Sequence, residues 1–174
     1  MVATQCPFEV AYESVHMIKP SRFALEKLNI HPGYTVGYGS KDNNIFVFYA
    51  ALAALYGEGV PVRLANDRYE QFQSGIKRHP FDIRYQLAVD RNDLGFRIFR
   101  ADMSADGGGR ANYSASVAAV GATAAQSTYY MPQNDLAVTA YHSRGVEAGS
   151  MRGYGTLQTM AATEMMVDEI AGRL

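Results

Sequence analysis

The stretch GVEAGSMRGYGTLQ, residues 145–158, sets three glycines, Gly149, Gly153 and Gly155, around one arginine, Arg152. Glycine accepts positive φ and lets a ligand or a neighbouring chain approach the backbone closely. Arginine adds a fixed charge with a planar, two-pronged donor geometry. Beyond this loop the pattern turns helical. From Thr156 no Gly or Pro intervenes until Gly172, and apolar residues recur at Leu157, Met160, Ala161, Val167, Ile170, Ala171 and Leu174. A Gly-rich loop feeding a helix N-terminus is a physical anion site. It is also a tight turn with a helix cap, and the segment alone does not choose between the two.

Upstream, the pattern alternates between strands and helices. Asp135 to His142 alternates as a strand, and Tyr113 to Ser127 is small and apolar, a helix in which Gly121 would admit a close neighbour, with a β reading open. DGGGR, 106–110, is a Gly-rich turn. FDIRYQLAVDRND alternates at Ile83, Tyr85, Leu87 and Val89, turns at Asn92–Gly95, and returns over 95–106, which predicts a β-hairpin. Lys77, Arg78 and His79 form a basic cluster that Pro80 holds extended. Residues 68–76 read as a polar loop and 61–67, PVRLAND, as a strand. Ile45–Tyr56, IFVFYAALAALY, is apolar enough to predict a helix buried on most sides. YTVGYGSKDNN, 34–44, is another Gly-rich loop before a helix. His31-Pro32-Gly33 reads as a turn, Ser21 caps a short helix over 22–28 with Phe23, Leu25 and Leu28 as candidates for burial, and residues 1–10 open as a short strand. The whole is a mixed α+β chain without internal repeats, with 1–76 and 77–174 as candidate subdomains.

Composition narrows the function classes. The chain has 174 residues, 48% of them hydrophobic, and a net charge of -1, so no broad basic field invites a nucleic-acid backbone. Cys6 is the single cysteine, which rules out a disulfide framework and any iron–sulfur cluster built from this chain's own thiols. His16, His31, His79 and His142 lack metal-site spacing, and HExxH is absent. Apolar runs are too short to span a bilayer, and a reducing cytoplasmic location is expected.

Several residues stand out as candidates, each beside a plainer reading. Arg152 is an anion contact or a surface arginine in a turn. Gln158, on the first turn of the last helix, can donate and accept toward the same place. Tyr38 and Tyr154 occupy two Gly–Tyr–Gly triplets, where they wall a flat pocket or pack their loops. Arg78 orients an oxyanion or carbonyl, or belongs to a solvated basic face. Asp42 is an acid/base group or a helix cap. Glu164 falls between Ala161 and Val167 on the apolar side of the last helix, where a hydrogen-bond anchor is the favoured role.

AGSMRGYGTLQ followed by AATEMMVDEIAGRL resembles a loop and helix of the molybdenum-cofactor-binding large subunit in the xanthine dehydrogenase/aldehyde oxidase family, whose pattern is G-A-x-R-G-F-G-x-P-Q and then A-E-x-x-x-D-x-x-A. VGYGSKD at 36–42 resembles the family's G-G-F-G-G-K-E loop. PVRLANDRYEQFQSGIKRHPF at 61–81 is similar to its segment ending in R-H-P, and ATQCPF at 3–8 to the stretch before the first cofactor loop. The resemblance runs through nearly the whole chain. It implies an α+β fold of mixed sheets with packed helices, here as an internal part of a molybdenum-cofactor-binding domain.

The resemblance also implies roles. Gly37, Tyr38 and Gly39 would approach the molybdenum centre, and Arg152, Gly153, Gly155 and Gln158 would contact the molybdopterin cofactor, as such or as its cytosine dinucleotide. Asp42, Arg78 and Tyr154 would meet substrate. The reaction implied is oxidative hydroxylation of a purine-like heterocycle or an aldehyde with oxygen from water. The family's glutamate base lies in a downstream G-x-G-E motif that this sequence lacks, so no catalytic residue is expected here and the isolated chain is expected to be inactive. Expected partners are the remainder of the large subunit, 2Fe-2S and FAD modules, and a second copy of the parent. A non-catalytic module of the same fold is the alternative. Departures bear on substrate: Asp42 replaces Glu, Tyr154 and Tyr38 replace Phe, Ser40 replaces Gly, and Leu157 replaces Pro. Retention of Arg78 favours the heterocycle. Partly uncovered apolar residues on the last helix, Met160, Val167 and Ile170, are expected if a larger body covers them.

Overall fold

The alternation at Ile83, Tyr85, Leu87 and Val89 becomes β3 (Phe81–Val89), whose odd-numbered residues are half-buried and whose even-numbered residues are exposed. In the computed structural model, which describes residues 2–4, 29–32 and 45–174, the chain divides into two compact units, Met1–Lys77 and Arg78–Leu174. The arrangement is the mixed α+β fold expected.

In the second unit β3 pairs antiparallel with β4 (Phe96–Asp106), with Tyr85 opposite Ala101. The turn between them is closed by Asp90 N–H donating to the Gly95 carbonyl at 3.0 Å. β4 pairs in parallel with β5 (Gln133–Tyr141). Parallel neighbours require a crossover, and α3 (Ser114–Thr123) supplies it. The strand order is therefore β3-β4-β5. One sheet face is dry. Phe99, Ala101, Met103 and Ala105 of β4 are buried there, with Ile83, Tyr85, Leu87, Leu136 and Val138 packed beside them.

The last helix, α4 (Thr156–Ala171), lies where periodicity put it, but with a different face inward. Its buried residues are Thr159 and Thr163, while Leu157, Ala161 and Leu174 are exposed. The reason is close approach. A methyl group on Gly155 would lie 2.2 Å from the Val117 carbonyl oxygen, and one on Gly121 would lie 3.3 Å from both the Phe81 ring and Thr159 Cγ2. Helices this close admit only small side chains on the facing stripe. The threonine hydroxyls stay satisfied: Thr163 Oγ1 donates to the Ala125 carbonyl, and Thr159 Oγ1 to the Thr156 carbonyl at 3.3 Å, while Tyr85 Oη donates to the Thr159 carbonyl at 3.0 Å. Glu164 is thereby turned to the exposed side rather than an apolar one, and it is an anchor. It accepts from Ser127 Oγ at 2.6 Å and Tyr129 Oη at 2.7 Å. Met160, Val167 and Ile170 are half-buried, and Met165 is exposed.

In the first unit β1 (Val2–Thr4) pairs in parallel with β2 (Ile30–Pro32), so His31 and Pro32 lie in a strand rather than a turn. The apolar run forms α1 (Phe46–Tyr56). It is less buried than its composition predicts. Val47 and Ala51, one turn apart, are buried, while Tyr49, Leu55 and Tyr56 are exposed. Residues 61–67 are not a strand: they pair with no strand among the described residues, and Val62 and Leu64 are exposed. Residues expected as a polar loop instead form α2 (Arg68–Ser74). Asp67 caps it, accepting from Glu70 N–H at 2.8 Å, while Glu70 Oε2 accepts from Asp67 N–H at 2.8 Å. This reciprocal box satisfies two otherwise orphaned donors. The helix expected at 22–28 lies outside the described residues. Among the described residues no helix is long and apolar enough to cross a membrane.

Gly155→Ala adds a clash with the Val117 carbonyl and forces alanine to φ +90°. It should cost about 3 kcal/mol, read as a fall in the denaturation midpoint, whereas Gly172→Ala, with no atom closer than 3.6 Å, should be nearly silent. The Ser127 and Tyr129 hydrogen bonds hold the Glu164 carboxyl below the usual carboxylate range. The folded state then binds fewer protons than the unfolded one, so this anchor stabilises above the ordinary carboxylate pKa and is lost as pH falls through the lowered one. Thermal melts should show Glu164→Gln destabilised at neutral pH, with the gap to wild type closing at acid pH.

Candidate functional site

The loop that enters α4 is fixed first by glycine packing. Gly107 N–H donates to the Tyr141 carbonyl at 2.8 Å, Ala148 N–H to the Gly107 carbonyl at 3.1 Å, and Gly109 N–H to the Gly145 carbonyl at 3.2 Å. The DGGGR turn is thus zipped onto 141–148. Gly108 has φ +70°, and a methyl group on it would lie 2.2 Å from the Val146 carbonyl oxygen. Glu147 ties the same loop to the start of α3. It pairs with Arg110 at 2.6 Å and accepts from Asn112 Nδ2.

Past Ala148 the chain makes the turn that carries the sequence motif. Gly153, Tyr154 and Gly155 have φ of +92°, +44° and +90°. Two glycines meet that demand at little cost, whereas an aromatic residue at positive φ is uncommon. Tyr154 N–H donates to the Met151 carbonyl and Thr156 N–H to the Gly153 carbonyl, both at 2.8 Å. Tyr154 is half-buried. Arg152 points to the surface and makes no ion pair among the described residues.

The fold brings Arg78 and Gln158 to this turn across nearly the full length of the second unit. Gln158 Nε2 donates to the His79 carbonyl at 3.1 Å. Its Oε1 is buried and has no hydrogen-bond partner among the described residues. Arg78 Nη1 is likewise buried without a partner among them, and it lies 3.7 Å from where a methyl group on Gly153 would sit. A buried guanidinium donor and a buried amide acceptor left over in one neighbourhood are costly in a core. They are what a polar ligand would satisfy.

The basic cluster is therefore not a solvated face. His79 is 2% exposed, and its Nε2 meets Ser114 Oγ at 2.9 Å. Burial lowers its pKa, opposed in part by the charge of Asp106, so the ring is neutral at physiological pH. Ser114 also lines a hollow of about 390 Å³ at the start of α3, with Asn112, Tyr113, Tyr141 and His142 around it. Ser114 did not stand out in the sequence, and His79 did so only as a member of the basic cluster. The one signal was Pro80, which restricts the residue before it.

The positions Gly37, Tyr38, Gly39 and Asp42 lie outside the described residues. The described ones fit part of a cofactor site. Gly153 is exposed beside the Arg78 guanidinium, Arg152 offers an exposed fork, and Arg78 and Gln158 offer a donor and an acceptor with no partner among the described residues, whereas the bare backbone of Gly155 is taken up by packing against Val117 and Gly121. Among the described residues no cluster of His, Cys, Asp or Glu is arranged to hold a metal ion.

Comparison with known proteins shows the family and the fold. Residues 1–174 match the profile of the molybdopterin cofactor-binding domain. A putative xanthine dehydrogenase molybdenum-binding subunit of Escherichia coli K12 is 30% identical over 147 residues, which is 83% of this chain and 19% of that protein. A probable xanthine dehydrogenase subunit of Bacillus subtilis is 32% identical over 138 residues, 79% of this chain and 18% of that one. The chain thus spans under a fifth of the length of these relatives. Among solved structures, the aldehyde oxidoreductase of Desulfovibrio gigas superposes with a TM-score of 0.68 at 23% identity, over 83% of this chain and 16% of that one, and so shares its fold. By sequence and fold together, the chain belongs to the molybdopterin cofactor-binding domain family.

Proposed function

We propose that this chain forms part of the cofactor- and substrate-facing wall of a molybdenum hydroxylase that oxidises a purine-like heterocycle with oxygen drawn from water. An aldehyde is the second substrate class. The observation that carries the reading is the buried Arg78 Nη1 beside the Gly153 turn, with the buried Gln158 Oε1 nearby, each without a partner among the described residues. A ring carbonyl or oxyanion answers the first, and a ring or cofactor N–H answers the second.

In this proposal the molybdenum–pterin group, as molybdopterin or its cytosine dinucleotide, supplies the two-electron oxidation when bound. The chain's own residues bind and orient. Arg152, Gly153, Gly155 and Gln158 contact the cofactor, and the family resemblance assigns Gly37, Tyr38 and Gly39 to it as well. Arg78 donates to the heterocycle where negative charge develops, which is worth most in a site closed to water. Tyr154 lies against the ring face, and Asp42 accepts from a ring N–H. Proton abstraction falls to a carboxylate base outside this sequence, which contains no G-x-G-E, so the chain by itself does not turn over. Electrons leave through 2Fe-2S and FAD modules on partner subunits or domains, and the parent assembles as a dimer in the cytoplasm.

The test is to produce the full-length parent protein with its neighbouring subunits in a host able to insert the cofactor. Mass spectrometry should then count about one molybdenum per chain. A clean zero would overturn the reading and leave a non-catalytic module of the same fold. In the loaded enzyme, Arg78→Met should lower kcat/KM for an oxopurine by about 10- to 100-fold, the loss of one charge-assisted hydrogen bond. Arg78→Lys, which keeps charge without the fork, should fall between. Equal kcat/KM for all three enzymes would remove Arg78 from the substrate site.

A further inference from the structure

We infer that His79 is a positioning residue for Arg78: its buried ring, bonded to Ser114, and its carbonyl, bonded to Gln158, hold the arginine against Gly153. The inference deepens the proposed function and rests on its assignment of Arg78 to the ligand.

The geometry converges on the two residues that follow Arg78. The His79 ring meets Ser114 Oγ, on the first residue of α3, at 2.9 Å. The His79 carbonyl accepts from Gln158 Nε2, in the first turn of α4, at 3.1 Å. The Pro80 carbonyl accepts from the N–H of Asp106, the last residue of β4, at 3.0 Å. Three separate elements thus fix a short segment that belongs to no helix or strand. Proline adds its own restraint by locking its φ and confining His79 to extended backbone.

Stability alone does not call for a histidine here. An apolar pair of like shape at 79 and 114 would fill the same space and leave no polar atom unmet, whereas the present ring keeps a buried Nδ1 with no partner among the described residues. What the polar pair adds is direction. Arginine is a long side chain with many rotamers, and an ordered contact with a ligand is stronger when that freedom is already removed. Fixing the main chain at 79 and 80 sets the point and direction from which the Arg78 side chain leaves the backbone, which narrows the rotamers that reach Gly153, and Gly153 leaves room for the guanidinium at the other end. Gln158 serves both sides, since one amide group braces His79 and keeps its oxygen free for the ligand.

The experiment uses the full-length protein and phenylglyoxal, which modifies arginine, with the rate at Arg78 read by peptide mass spectrometry. His79→Leu and, as the milder change, Ser114→Ala should each speed labelling of Arg78 by about fivefold. Exposed Arg152 should label at the wild-type rate, and His79→Gln, which keeps a hydrogen-bonding group near the Nε2 position, should restore slow labelling. In the loaded enzyme His79→Leu should raise KM for an oxopurine by about tenfold with kcat within about twofold of wild type. Adding His79→Leu to Arg78→Met should cost nothing further, as expected of two residues acting through one contact. Wild-type labelling of Arg78 in both folded variants would overturn the inference, as would faster labelling spread equally over all arginines. Faster labelling confined to Arg78 in a protein that oxidises no heterocycle would support the positioning role and overturn the proposed function.

Discussion

A methyl group on Gly155 would come within 2.2 Å of the Val117 carbonyl oxygen and within 3.0 Å of the Gly121 nitrogen, so only a bare backbone fits there. This contact joins the end of the Arg152 loop to the middle of α3, and much of the second unit follows from it. It fixes where α4 begins. It lays a stripe of threonines, not leucines, against α3, because two helices in near backbone contact leave no room for larger side chains. It also puts Gln158, one turn into α4, within reach of the His79 carbonyl. Gly155 therefore has a packing role that does not depend on any ligand.

Two kinds of buried polar group coexist around that contact. Tyr85, Thr159 and Thr163 form a closed set in which the hydroxyls find carbonyls or one another. Glu147 is similarly bound by Arg110 and Asn112. Arg78 Nη1 and Gln158 Oε1, like His79 Nδ1, are each buried with no partner among the described residues. A satisfied network rigidifies, whereas a buried polar atom without a partner carries a desolvation cost that a ligand or a water would relieve.

Local patterns carried most of the elements. The alternation of β3, the return of β4, the small-residue helix α3 and the glycine stop of α4 depend on periods and breakers that act within a turn or two of chain. Asp67-Arg-Tyr-Glu70 is equally local, though the polar composition of 68–76 masks it: an acceptor three residues ahead of a glutamate is a helix start, and α2 begins there. The strand expected at 61–67 failed for the opposite reason. A strand exists only with a partner, and no count of β-branched residues shows whether one is near.

The sequence by itself determined the α+β class, the order of its elements in the second unit, the Gly-flanked Arg152 turn and, through motifs in a fixed order, the family. These are matters of local geometry and of residue identity along one line. Only the tertiary structure decided that Thr159 and Thr163, rather than Leu157 and Ala161, are the buried residues of α4, that His79 is buried, and that Arg78 and Gln158, eighty positions apart in the chain, share one neighbourhood with a donor and an acceptor that have no partner among the described residues. Those outcomes depend on which surfaces come within a few ångströms of each other. Close packing and the desolvation of polar atoms are properties of such pairs of surfaces, and no single stretch of sequence carries both members.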